Sequence, residues 1–321
     1  GTSLDSPCSH RNGDDLFTKW TFWFQLYAPL GILVVGITGN VLSFLLLSQN
    51  QYKSSSTCFY MKILAVFDSI CLMSWVISDH FKIWTNPFLK TRMFFCAVLN
   101  SLKALTPAVS SILLTTMSVE RLLAVAVPLK AKIWCNVARA KIATYLIIVV
   151  LSAIHLPVPF VRSYITLEEN CRLQGTPSHG SHFYANFRLV TSFYLPLIII
   201  FISNFCIILI LKMNRQKRRK LQRVETAGQT SSQGGYLTLM LLAVTISSFL
   251  CLLPFQLVQV YYHYIFVRPF DEQSRSVSYF IDSITGFFQY CNYGMNFYAY
   301  TLPIAKFRRE LRSLLKIPGS G

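Results

Sequence analysis

Seven apolar runs separated by short polar connections divide the chain, at about Trp23 to Leu47, Ile63 to Ile83, Phe94 to Val127, Ile142 to Val161, Phe187 to Leu211, Tyr236 to Phe266 and Val277 to Leu302. A bilayer core of about 30 Å is crossed by a helix of roughly 20 residues, so each run is long enough to span it. Between Phe94 and Met117 the only charge is Lys103. The pattern predicts an all-α membrane protein, a seven-transmembrane helix bundle occupying residues 23–302. Residues 1–22 are polar and acidic and are expected to form an extracellular tail. In residues 303–321, Ile304, Phe307, Leu311 and Leu315 recur at helical spacing with bases between them. That spacing predicts a short amphipathic eighth helix along the inner leaflet, followed by a truncated cytoplasmic tail.

Composition agrees: 53% of residues are hydrophobic and 13% charged, too little polar material to cover a soluble globule of 321 residues. The net charge of +17 raises the question of nucleic acid, which its placement answers. Bases crowd into alternate connections, at Lys53 and Lys62, at Lys130 to Lys141, at Lys212 to Arg223, and at Lys306 to Lys316. This is the positive-inside pattern, with the amino terminus extracellular and the carboxyl terminus cytoplasmic, and it leaves no nucleic-acid surface to explain. A multi-pass protein of the plasma membrane is expected. Trp20, Trp23, Trp84 and Tyr264 fall near the expected interfaces, where amphipathic rings are favoured.

A count of seven does not fix a function, but particular residues narrow it. Gly39-Asn40-Val41 lies in the first run, Leu64-Ala65-Val66-Phe67-Asp68 in the second, Cys96 and Glu120-Arg121-Leu122 in the third, and Pro196 in the fifth. Cys251-Leu252-Leu253-Pro254 follows in the sixth, Asn296-Phe297-Tyr298-Ala299-Tyr300 in the seventh, and Phe307 beyond it. In order, spacing and sidedness these motifs resemble those of the rhodopsin-like, class A G protein-coupled receptors, from Gly39 to Leu311. The resemblance implies a receptor, not an enzyme, that promotes nucleotide exchange in a heterotrimeric G protein and then meets arrestin. It makes Glu120, Arg121, Pro254, Asn296 and Tyr300 the expected activation switch. It also implies a disulfide from Cys96 to Cys171, stapling the second outer loop over the pocket. Several positions depart from the family pattern: Ser248, Leu252 and Phe297 replace the usual Phe, Trp and Pro, and Asn204 stands where a Tyr is common.

Asp68 falls near the bilayer midplane, where an ionised carboxylate needs partners. By the family's helix arrangement Ser110, Asn292 and Asn296 point toward it. Two readings stand: an allosteric sodium ion held by these oxygens, or a protonated, hydrogen-bonded cluster with no cofactor.

The outer half of the bundle carries the ligand expectations. Lys103 lies eighteen residues before Arg121, where amine receptors bear an Asp, and so argues against an amine ligand. Arg188, Gln256, Gln259, Asp282, Gln289 and Tyr290 are expected to join it by helix correspondence, with Asp79 and Trp84 nearer the mouth. Both signs of charge together with glutamines suit a short neuropeptide; the alternative is that Lys103 simply snorkels or pairs with a neighbouring helix. A chemosensory or lipid receptor of the same fold should have a more apolar cavity. A transporter should show repeated halves. On the inner face, the basic KMNRQKRRKLQR segment is expected to contact membrane lipid and to border the G protein cleft.

Overall fold

The computed structural model describes residues 14–83, 89–157, 160, 179–221, 232–261, 272–301 and 305–314. Among them the regular structure is helical. The long helices are α1 (Asp14–Leu47), α2 (Ser56–Ile83) and α3 (Leu89–Ala126), followed by a short α4 (Pro128–Trp134) and then α5 (Val137–His155). Next come α6 (His179–Leu189), which passes through a π-helical turn at Val190–Tyr194 into α7 (Leu195–Leu221), and α8 (Ser232–Val260). The chain finishes with α9 (Glu272–Gly294), α10 (Asn296–Thr301) and α11 (Ala305–Leu314). Six of these segments are long and apolar enough to cross a membrane. The seventh expected crossing is the α9–α10 pair, which falls short in apolarity because the face it turns to the cavity carries Asp282, Gln289 and Asn292.

Helix ends differ from the edges of the apolar runs. The first helix starts at Asp14, so the end of the expected tail is helical; extending an existing helix fixes one residue per hydrogen bond and needs no apolar side chain. The short α4 was not signalled by hydropathy. Pro128 opens it at the first position, where its missing N–H costs nothing, and Asn136 then caps α5 by accepting from the Arg139 amide at 2.9 Å. Pro107 lies inside an uninterrupted α3, where it cannot donate to the carbonyl one turn back.

Large apolar side chains face outward along the crossings, among them Val34, Ile142, Phe201 and Leu250, as lipid contact requires. The interior holds two apolar clusters. The lower includes Leu46, Tyr60, Leu64, Leu113, Met117 and Phe307; the upper joins Ile32, Cys71, Leu72, Tyr290 and Tyr293.

The first and seventh crossings approach through glycine. A Cβ added to Gly36 would stand 2.6 Å from Leu72 Cδ1 and 2.8 Å from the Gly294 backbone, closer than side chains pack. The seventh crossing breaks at the same level, between α9 and α10 at Met295, although Phe297 occupies the place of the family's proline. A helix end leaves carbonyls without intrahelical donors. The carbonyl of Tyr293 is met by the Asn40 amide from α1 at 3.2 Å.

At the inner end, Phe307 of α11 is fully buried and stacks on Tyr52, with ring centroids 5.7 Å apart, while the Tyr52 hydroxyl donates to Glu310. The eighth helix is therefore docked onto the turn between α1 and α2. Ile304 and Leu315, expected on the same face, lie outside the described residues.

Candidate functional site

A cavity of about 690 Å³ runs down the bundle axis. Lys103, Arg188, Gln256, Gln259, Asp282, Gln289 and Tyr290, all expected at the ligand site, line it together. The Asp79 side chain and Trp84 lie outside the described residues. The cavity continues downward to Asp68, Ser110, Asn292 and Asn296, so the expected ligand site and ion site share one space. Its upper wall also includes Phe24, Gln25 and Pro29 of α1, and Gln25 donates to Ser283 of α9 at 2.6 Å.

Lys103 pairs with the neighbouring helix α2, one of the two alternatives expected for it, and does not extend toward lipid. Its Nζ donates to Ser78 Oγ at 3.0 Å and lies 4.3 Å from the centre of the Trp75 ring, a cation–π geometry. Trp75 in turn meets Tyr290 edge to face at 6.2 Å. Sequence reasoning missed Trp75 and Ser78. Their signal was periodicity, since Asp68, Leu72, Trp75 and Ser78 follow one another at helical spacing, placing both on the α2 face that carries Asp68. Asp282 Oδ1 accepts from Gln259 Nε2 at 2.9 Å, tying α8 to α9. Gln289 Oε1 is buried without a hydrogen-bond partner among the described residues, as are Trp75 Nε1 and Ser192 Oγ in the same wall. Each such atom carries a desolvation cost that a polar ligand or a water relieves.

At the cavity floor the carboxylate of Asp68 accepts from Ser110 Oγ at 2.8 Å and from Asn296 Nδ2 at 2.6 Å. The Oδ1 atoms of Asn292 and Asn296 are buried with no partner among the described residues. A carboxylate, a hydroxyl and two unused amide oxygens form an all-oxygen donor set, of the kind that hard cations take. Among the described residues no group of three or more His, Cys, Asp or Glu side chains is placed to hold a metal ion.

Toward the end of α3 that leads into α4, the expected Glu120–Arg121 switch is organised by α2. Ser56 Oγ donates to Glu120 Oε2 at 2.6 Å and Tyr60 OH donates to Oε1 at 3.0 Å, so both carboxylate oxygens accept hydroxyls from one helix. Arg121 donates to Thr57 Oγ1 from the same turn. Cys135, just outside the membrane span, contacts the Glu120 carbonyl; burial, with the Glu120 charge adding, pushes its thiol above the usual range. Pro254 lies inside α8. Asn204 donates to Thr245 Oγ1 at 2.9 Å, linking α7 and α8 where the family's tyrosine is replaced. Tyr300 falls in α10, but its side chain lies outside the described residues.

Cys96 is buried and disulfide-bonded. Its mate is not among the described residues, where the other six cysteines are free, and Cys171 lies outside them.

A helical membrane bundle with an axial polar cavity, a midplane aspartate and an interfacial Glu-Arg pair defines a class, and sequence comparison agrees with it. Residues 39–300 match the model of the seven-transmembrane receptor family, rhodopsin type, and the chain belongs to that family. It is 27% identical over 303 residues to the FMRFamide peptide receptor frpr-18 of Caenorhabditis elegans, covering 90% of this chain and 68% of that one. Over 294 residues it is 23% identical to the growth hormone secretagogue receptor type 1 of Sus scrofa, covering 89% and 79%. A shorter match, 33% over 124 residues, covers 36% of this chain and 27% of the human neuromedin-U receptor 2.

Proposed function

We propose that this chain is a plasma-membrane receptor for a short extracellular peptide, which it reports to a heterotrimeric G protein. The observation that carries the reading is the axial cavity, whose wall combines Lys103, Arg188 and Asp282 with Gln256, Gln259 and Gln289. Peptide amides pair with glutamine side chains in both directions, and the two signs of charge match termini or ionised side chains. A relative of this chain is itself named as a peptide receptor. In this reading the amino terminus is outside and the basic connections face the cytoplasm, where they meet anionic lipid, the G protein and arrestin. Cys96 pairs with Cys171. The receptor performs no covalent chemistry of its own. At the floor, Asp68, Ser110, Asn292 and Asn296 hold a sodium ion, and the unpartnered amide oxygens of the two asparagines support that assignment.

The test is reconstitution of the receptor with heterotrimeric G proteins, followed by a screen of synthetic peptides against small apolar molecules with guanine-nucleotide exchange as the readout. Exchange driven by a peptide and lost in Lys103→Glu and Asp282→Lys supports the proposal. Exchange driven only by apolar molecules, or surviving both substitutions, overturns it.

A further inference from the structure

The oxygen cluster at the cavity floor is not electrically isolated. Lys103 lines the same cavity, and its ammonium is held over Trp75 and against Ser78, on the helix that bears Asp68. Along α3, Lys103 precedes by seven residues the serine that donates to Asp68, a rise of about 10 Å at 1.5 Å per residue. Asp282 stands fourteen residues before Asn296, roughly 21 Å up the bundle, farther from the floor than the ammonium, and offsets only part of its effect there.

The floor has the features of a cation site independently of Lys103. Asn292 and Asn296 are 5% and 6% exposed, and each leaves an amide oxygen unpartnered beside a carboxylate and a hydroxyl. An ion entering from the outer mouth must pass the lysine level before it reaches these atoms.

We propose that Lys103 is a built-in electrostatic competitor, which sets how weakly the Asp68 cluster holds a small monovalent cation. The inference rests on the sodium reading of that cluster. The ammonium sits at Ser78, ten residues and so roughly 15 Å along α2 from Asp68, and acting through an effective dielectric of about 20 it lowers the affinity of the floor for a second positive charge by about sixfold. Trp75 and Ser78 are then positioning residues, keeping the ammonium inside the cavity instead of letting it snorkel outward.

The test uses purified, ligand-free receptor in detergent, with thermal unfolding followed as sodium replaces choline at constant ionic strength. A ligand of the folded state raises the melting temperature in proportion to its occupancy, so the titration reports sodium binding without any signalling assay. Lys103→Met, which keeps a long apolar stem against Trp75, is expected to lower the half-saturating sodium concentration about sixfold. Lys103→Gln should do the same, and Lys103→Arg should behave as the native chain. Asp68→Asn should abolish the sodium response both alone and combined with Lys103→Met. Equal half-saturation in the native and Lys103→Met receptors overturns the competitor role while leaving the Asp68 site intact. Lys103→Arg behaving like Lys103→Met also overturns it, by showing that packing and not charge is responsible. A sodium response that survives Asp68→Asn overturns the underlying sodium reading, and the proposal with it.

Discussion

The hydroxyl of Tyr60 on α2 donates to the carboxylate of Glu120 on α3 at 3.0 Å, beside a second donor, Ser56, at 2.6 Å. Glu120 is thereby held from the second helix while Arg121 engages Thr57 one residue along from Ser56. A hydrogen bond to a charged group contributes about 1.5–3 kcal/mol, and about 1 kcal/mol moves a two-state population about fivefold. Tyr60→Phe combined with Ser56→Ala is expected to raise ligand-free guanine-nucleotide exchange by about fivefold or more, and Arg121→Ala to suppress it. Basal exchange that does not change in the double variant would show that α2 does not restrain the switch.

Asn204 and Thr245 form a clasp between α7 and α8. Asn204 stands where the resemblance expects a tyrosine on the fifth crossing, and its bond to Thr245 ties the two helices together. Thr245→Val removes the acceptor and strands the Asn204 amide, at a cost of about 1–3 kcal/mol to the closed arrangement. Greater basal exchange, with surface expression kept at the native level, is the expected result; a fall in exchange would assign the bond to the active arrangement instead.

Sodium at Asp68 should reduce the affinity of an activating peptide, because an ion bound to Ser110, Asn292 and Asn296 cross-links α3 to α9 and α10 in one geometry. Radioligand competition with and without sodium checks this. Asp68→Asn should make the two curves coincide.

Gly36→Ala should destabilise the fold, since the new methyl would meet Leu72 and the Gly294 backbone at under 3 Å. Overpacking of this kind costs about 1–3 kcal/mol. Gly31→Ala in the same helix is the control, with nothing within 4 Å of the added carbon, and should be neutral or slightly stabilising. Melting temperatures of the two variants in detergent decide the matter: Gly36→Ala should melt several degrees below Gly31→Ala.

Much of this architecture is written in hydropathy, because lipid forces a crossing segment to satisfy its backbone internally and to be apolar outside. All seven crossings announced themselves in that way, the seventh most weakly, since its inward face is filled with the polar side chains that build the cavity. Lys103 stood out as the lone charge in an apolar run, and Asp68 as a carboxylate in the midplane. The partners of these charges were less accessible. That Trp75 receives the lysine, or that Ser56 and Tyr60 receive Glu120, depends on the rotation of one helix against another, which no single helix's periodicity encodes. The break at Met295 was hidden for another reason: the usual proline is absent, and a glycine beside a crossing glycine does its work.

That break divides the seventh crossing into two rods with separate duties. Residues above Gly294 line the axial cavity, through Asp282, Gln289 and Tyr290, whereas Asn296 below it donates to the Asp68 carboxylate. Mutational drift on the upper rod can retune what the molecule recognises without resetting its gain, and drift on the lower rod can do the reverse.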